Sequence, residues 1–185
     1  MKVRLTVMAV VLALAATAGL AQTHHNAQPY AGQQTRSISS LSDDEVKDFL
    51  DGRGMGLARS AELNGHPGPM HVLELDKELK LTAEQRQLVK AAYDRMKAKA
   101  RELGDAYVKA ERAVDLAFKS GAADAAQVAA RVAEANRLLG EVRLAHLAAH
   151  IEITPLLTPE QRVRYAELRG YTDGKAHGRH RHHKH

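Results

Sequence analysis

Residues 82–121 read TAEQRQLVKAAYDRMKAKARELGDAYVKAERAVDLAFKSG, with no proline anywhere in the run. Thr82 followed by Gln85 has the form of a capping box, in which each residue satisfies the other's free backbone N–H at a helix start. From there apolar side chains recur at Leu88, Ala92, Met96, Leu103, Tyr107, Ala110, Val114 and Phe118, a helical spacing that holds until Ser120-Gly121. At 1.5 Å per residue the predicted helix is roughly 55 Å long.

Downstream, Asp124 with Gln127 caps a return helix. Its positions Val128, Val132, Ala135, Leu139, Val142, His146, Ala149 and Ile153 step by four and three, the rhythm of a coiled-coil seam. Leu138, Leu144, Leu147 and Ile151 are expected to widen the buried face. Pro155 ends this helix, and Thr158-Pro159-Glu160-Gln161 caps a last one reaching Gly170. Upstream, Met70 to Lys80 carries Val72, Leu75 and Leu79 on one side. Asn64-Gly65-His66-Pro67-Gly68-Pro69 and the glycines at 52, 54 and 56 mark turns. Leu41-Ser42-Asp43-Asp44-Glu45-Val46 opens a short helix with its own capping box and a hydrophobic staple. Residues 22–40, rich in Gln, Ser, Gly and Asn, read as a disordered lead-in. The fold class is therefore all-α: a long antiparallel helical hairpin with shorter flanking helices, occupying 41–171, followed by a tail at 172–185. So thin a hairpin predicts a homodimer, with Leu139, Val142 and Ile153 in its seam.

The N-terminus reads as a signal peptide over residues 1–21. Lys2 and Arg4 form a positive n-region, Leu5 to Leu20 is apolar, and Gly19-Leu20-Ala21 places small side chains where a signal peptidase reads. A cut after Ala18 has the same logic, and an uncleaved anchor is the remaining alternative. The expected location is the periplasm, with no stable membrane insertion after cleavage. Cysteine is absent, so disulfides and thiolate chemistry are excluded. Without the first 21 residues the net charge is +3, and residues 172–185 carry all of it, leaving a neutral body. A basic tail on an exported neutral body argues against nucleic acid as a partner. Arg86, Lys90, Lys97, Arg101, Lys109 and Arg112 share a face, but Asp94 and Asp105 stand among them at ion-pairing spacing, as on a solvated surface. A scarcity of serine, no glycine-rich phosphate loop and no clustered carboxylates leave no enzyme machinery.

Leu81-Thr82-Ala83-Glu84-Gln85-Arg86 and Leu157-Thr158-Pro159-Glu160-Gln161-Arg162 differ at one position. Each is a helix start, and capping accounts for the residue types. A paired LTxxQ motif before the second and last helices of a small exported helical chain also resembles the Spy/CpxP family, over about residues 66–171. That resemblance implies a cradle-shaped dimer of bent hairpins with ATP-independent holding of unfolded client proteins. Zinc-resistance-associated and CnrX-type relatives bind metal ions and regulate a membrane signalling partner. CnrX-type sensors take ligands from a first helix and from the helix before the second LTxxQ-like motif.

Eleven histidines are many for this length. His146 and His150 stand at i, i+4, a spacing that lets two imidazoles reach one ion. Leu147 occupies the place where a metalloprotease has its general-base Glu, so a site here would bind and not hydrolyse. His71 and Glu74, one turn apart, are candidates to complete it for zinc, nickel or cobalt. His177, His180, His182, His183 and His185 form a second candidate for loose divalent-metal binding. Cleavage after Ala21 would also leave Gln22-Thr23-His24 at the N-terminus, four nitrogens suited to square-planar copper or nickel. No cofactor is required by any of these readings. The favoured function is chaperone-like holding of unfolded or signalling partners. The alternative is a heavy-metal-binding sensor or resistance protein in which the histidines are primary.

Overall fold

The computed structural model describes residues 28–172. From Gln33 onward the described residues form one compact unit. It is all-α, with seven α-helices among the described residues: α1 (Asp43–Leu50), α2 (Arg59–Glu62), α3 (Pro69–Glu74), α4 (Asp76–Leu79), α5 (Ala83–Lys119), α6 (Ala125–Ile153) and α7 (Pro159–Leu168). None of these is long and apolar enough to cross a membrane.

The hairpin is α5 against α6. The hydroxyl of Thr82 accepts from the Gln85 N–H at 3.1 Å and the Gln85 carbonyl oxygen accepts from the Thr82 N–H at 3.0 Å, so the box starts α5 as its sequence predicts. Its 37 residues give the expected length. Gly121, at φ +69°, turns the chain, and the Asp124 carboxylate accepts from the Ala126 N–H at 3.1 Å to start α6.

The buried seam differs in register from the sequence reading. On α5 it runs through Val89, Ala92, Ala100, Leu103 and Tyr107, whereas Leu88 is 44 % exposed and Phe118 60 % exposed. Steps of four from Leu88 to Ala92 to Met96 drift around a helix of 3.6 residues per turn, and the observed start at Val89 corrects the drift. On α6, Ala135, Leu138, Val142, His146, Ala149 and Ile153 are buried as expected. Leu144 and Ile151, expected to widen that face, are exposed. Each lies two residues, about 200°, from a seam position. Val142 and Ile153, placed by the sequence reading in a dimer seam, are buried within one chain, and Leu139 is half-buried there.

The interior falls into two clusters along the hairpin. One joins Ile38, Leu41 and Phe49 to Leu103, Tyr107, Val108, Ala135, Leu138 and Val142. The other joins Val72, Leu79 and Leu81 to Val89, Ala92, Ile153, Leu157 and Tyr165. Ile38 is fully buried, so the stretch read as a disordered lead-in is built into the core at its end. α1 closes the first cluster, with the Phe49 and Tyr107 rings edge-on at 4.6 Å. Gly104 permits this approach: a Cβ there would stand 2.2 Å from the Phe49 carbonyl oxygen.

The stretch 70–80, read as one helix, breaks into α3 and α4 at Leu75, and Lys80 caps α4 in the left-handed region at φ 52°. The repeated motif also does more than cap. Gln85 donates to the Leu156 carbonyl at 2.8 Å, Gln161 donates to the Leu79 carbonyl at 3.1 Å, and the two side-chain amides pair reciprocally at 2.9 and 3.0 Å. The starts of α5 and α7 are thereby tied to each other.

Candidate metal site

Between the two clusters the seam of α6 carries histidine in place of aliphatic side chains, and a cavity of about 710 Å³ opens there. Its wall includes the segment after α1, the first turn of α3, the middle of α5, His146 and His150 of α6, and Arg169 and Tyr171 beyond α7. The glycine-rich turns at 52–56 and 65–68 bring the first of these segments back over the hairpin.

His146 is 4 % exposed, and its ring hydrogen-bonds the Arg53 backbone while Nε2 has no partner. Burial, and then the neighbouring His150, hold its pKa below the ordinary histidine value. It is therefore the neutral imidazole, the form that ligates a metal, at neutral pH. An unpaired buried polar atom costs about 1–3 kcal/mol, which a ligand at Nε2 would offset.

His150 is also buried. Its Nδ1 lies 2.8 Å from the His66 carbonyl oxygen, so Nδ1 carries the proton and donates, leaving the lone pair on Nε2. That Nε2 borders Gly68, where a Cβ would approach it to 3.3 Å and the Glu62 Oε2 to 3.2 Å.

Glu62 is the partly buried acid of the site. Its Oε1 accepts from the Tyr165 hydroxyl at 2.6 Å and the Tyr171 hydroxyl at 3.1 Å, and Arg169 Nε lies 3.4 Å away. Its Oε2 has no hydrogen-bond partner and lies 3.8 Å from His150 Nδ1. Burial and the Glu62 carboxylate push the Tyr165 phenol far above its ordinary range, so it stays protonated and donating.

His71 lines the same cavity, as the sequence reading requires, but Glu74 is not among the lining residues. Glu74 sits exposed and holds His71 Nδ1 at 2.8 Å. Among the described residues, no three side chains of His, Cys, Asp or Glu gather closely enough to hold one ion. The set of His71, Glu74, His146 and His150 is thus brought to one region and not drawn into one cluster. His24, His177, His180, His182, His183 and His185 lie outside the described residues. Glu62, His66, Tyr165 and Arg169 escaped the sequence reading. Glu62 belongs to a four-residue helix with no periodicity to read, and its partners lie about a hundred residues away in the chain.

A family model described as heavy-metal resistance matches residues 54–164, more than half of the chain. The chain belongs to the heavy-metal resistance family. The matched span runs from the glycine-rich turn through the hairpin and into α7, and so contains Glu62, His71, His146 and His150. Membership supports a role in heavy-metal resistance, the alternative of the two readings drawn from the sequence, above chaperone-like holding. Neither a curated protein nor a solved structure matches the chain.

Proposed function

We propose that this member of the heavy-metal resistance family is a periplasmic, non-enzymatic protein that binds a transition-metal ion in the cavity between its two hydrophobic clusters, through His146 and His150. The observation that carries the reading is the Nε2 of His146: buried, neutral and without a partner, on the wall of a cavity it shares with a second buried imidazole. Neutral imidazole suits zinc, nickel, cobalt and copper alike. The His66 carbonyl orients His150 as an outer partner orients a metal-ligating histidine. Glu62 Oε2 supplies negative charge next to it. The paired LTxxQ starts support placing the chain among Spy/CpxP-like members, with the signal-like N-terminus supporting export.

The test is calorimetry on the full-length protein with all five tail histidines changed to alanine. One metal ion per chain is expected across titrations with Zn(II), Ni(II), Co(II) and, anaerobically, Cu(I), and His146→Ala should abolish it while far-UV circular dichroism stays unchanged. Equal binding by the His146→Ala protein would overturn the assignment.

One observation favours holding of partner proteins as a second activity. Leu144 and Ile151 of α6 are 61 % and 63 % exposed, an apolar stripe on the face away from α5. Suppression of client aggregation in the presence of a chelator, lost in Leu144→Glu/Ile151→Glu, would support it.

A further inference from the structure

Given that metal-binding reading, on which this inference rests, the class of ion follows from the side chains that share the cavity. The chain has five methionines, Met1, Met8, Met55, Met70 and Met96, and no cysteine. All three methionines among the described residues line this one cavity, from three different segments: the turn after α1, the first turn of α3 and the middle of α5. Methionine usually fills gaps in apolar cores. Here none of the three belongs to either hydrophobic cluster, and Met55 and Met70 are 37 % and 43 % exposed. Met55 is held at φ 46°, a conformation that a long side chain adopts at a cost and that persists where surroundings or function demand it.

Charge and ligand number point the same way. Arg53, Arg59, Lys97 and Arg169 face Asp48 and Glu62 around the cavity, an excess of positive charge. That excess opposes a divalent ion twice as strongly as a monovalent one. Zinc in a structural site takes four nitrogen, sulfur or oxygen ligands, and no three His, Cys, Asp or Glu gather here among the described residues. Thioether is a soft ligand that selects Cu(I). We propose that the cavity binds a soft monovalent ion, Cu(I), through the imidazoles of His146 and His150 together with thioether sulfur from Met55, Met70 and Met96.

The experiment uses the full-length chain with His177, His180, His182, His183 and His185 replaced by alanine. Cu(I) is titrated anaerobically against a chromogenic Cu(I) chelator, and the loaded protein is measured by X-ray absorption. Because the chain has no cysteine, any sulfur in the copper shell is methionine. One Cu(I) with sulfur in its shell is expected. The volume-conserving Met55→Leu/Met70→Leu/Met96→Leu protein should lose the sulfur signal and bind Cu(I) about tenfold or more weakly, with Co(II) affinity unchanged. A shell of nitrogen alone, while His146→Ala still abolishes metal binding, would overturn this inference and leave the metal-binding reading intact. Absence of any metal binding in the parent protein would take down both. Should the triple variant not fold, the sulfur signal of the parent and of each single Met→Leu protein decides the matter.

Discussion

Burial acts in opposite senses on two side chains of this interior. It holds His146 as a neutral base and pushes the Tyr107 phenol up to about 12, with Glu111 adding to the effect. For Tyr107 the ordinary value is 10.0, so between pH 10 and 12 the unfolded chain loses the proton first. Its contribution is complete below the unfolded value and is lost as pH rises through that window. Tyr107→Phe should therefore shrink the alkaline loss of stability in urea titrations at those pH values. An identical loss in both proteins would show that the phenol is not responsible. At this scale the sequence was partly readable. His146 and His150 announce themselves by i, i+4 spacing on a helix. Glu62 does not, because what makes it special is a Tyr165 hydroxyl 103 residues away and an orphaned second oxygen. No local pattern encodes either.

Among the elements, caps were the most readable feature, since a capping box is a purely local contract between residues three apart. Ser42, Thr82 and Thr158 all close such boxes. The pairing of Gln85 with Gln161 was not readable, because it depends on how two helix starts meet in space. Faces were readable only in part: the alternating step of three and four put Ala135, Val142 and Ile153 inside, but Val132 on the same step is 40 % exposed, as Leu144 and Ile151 off it are exposed. The seating of α1 on α5 depends on Gly104. Gly104→Ala raises helix propensity by about 1 kcal/mol. It also drives a methyl group to 2.2 Å from the Phe49 carbonyl oxygen, which is backbone and cannot rotate away. Overpacking of this kind costs about 1–3 kcal/mol. The clash should win, giving a lower urea midpoint and a Phe49 region open to protease. A midpoint at or above wild type would refute the close approach.

For the whole molecule, the all-α hairpin was legible from periodicity, while the division of its interior was not: His146 looked like one more seam position. That division means the open end of the hairpin and its middle are held by different side chains, with a cavity lined by His146 and His150 between them. Cooperative unfolding depends on packing that is continuous, and an interruption lets blocks open separately. Amide hydrogen exchange of the metal-free protein should resolve two protected blocks. One would centre on Leu103, Tyr107 and Val142, the other on Val89, Ile153 and Tyr165, and the amides around Met96 and His146 should exchange earlier than either. A single protection level along all of α5 and α6 would contradict this. An ion seated between the blocks would fuse them. The hairpin would then pass from two foldons to one on loading, and its local dynamics would report the metal without any change of shape.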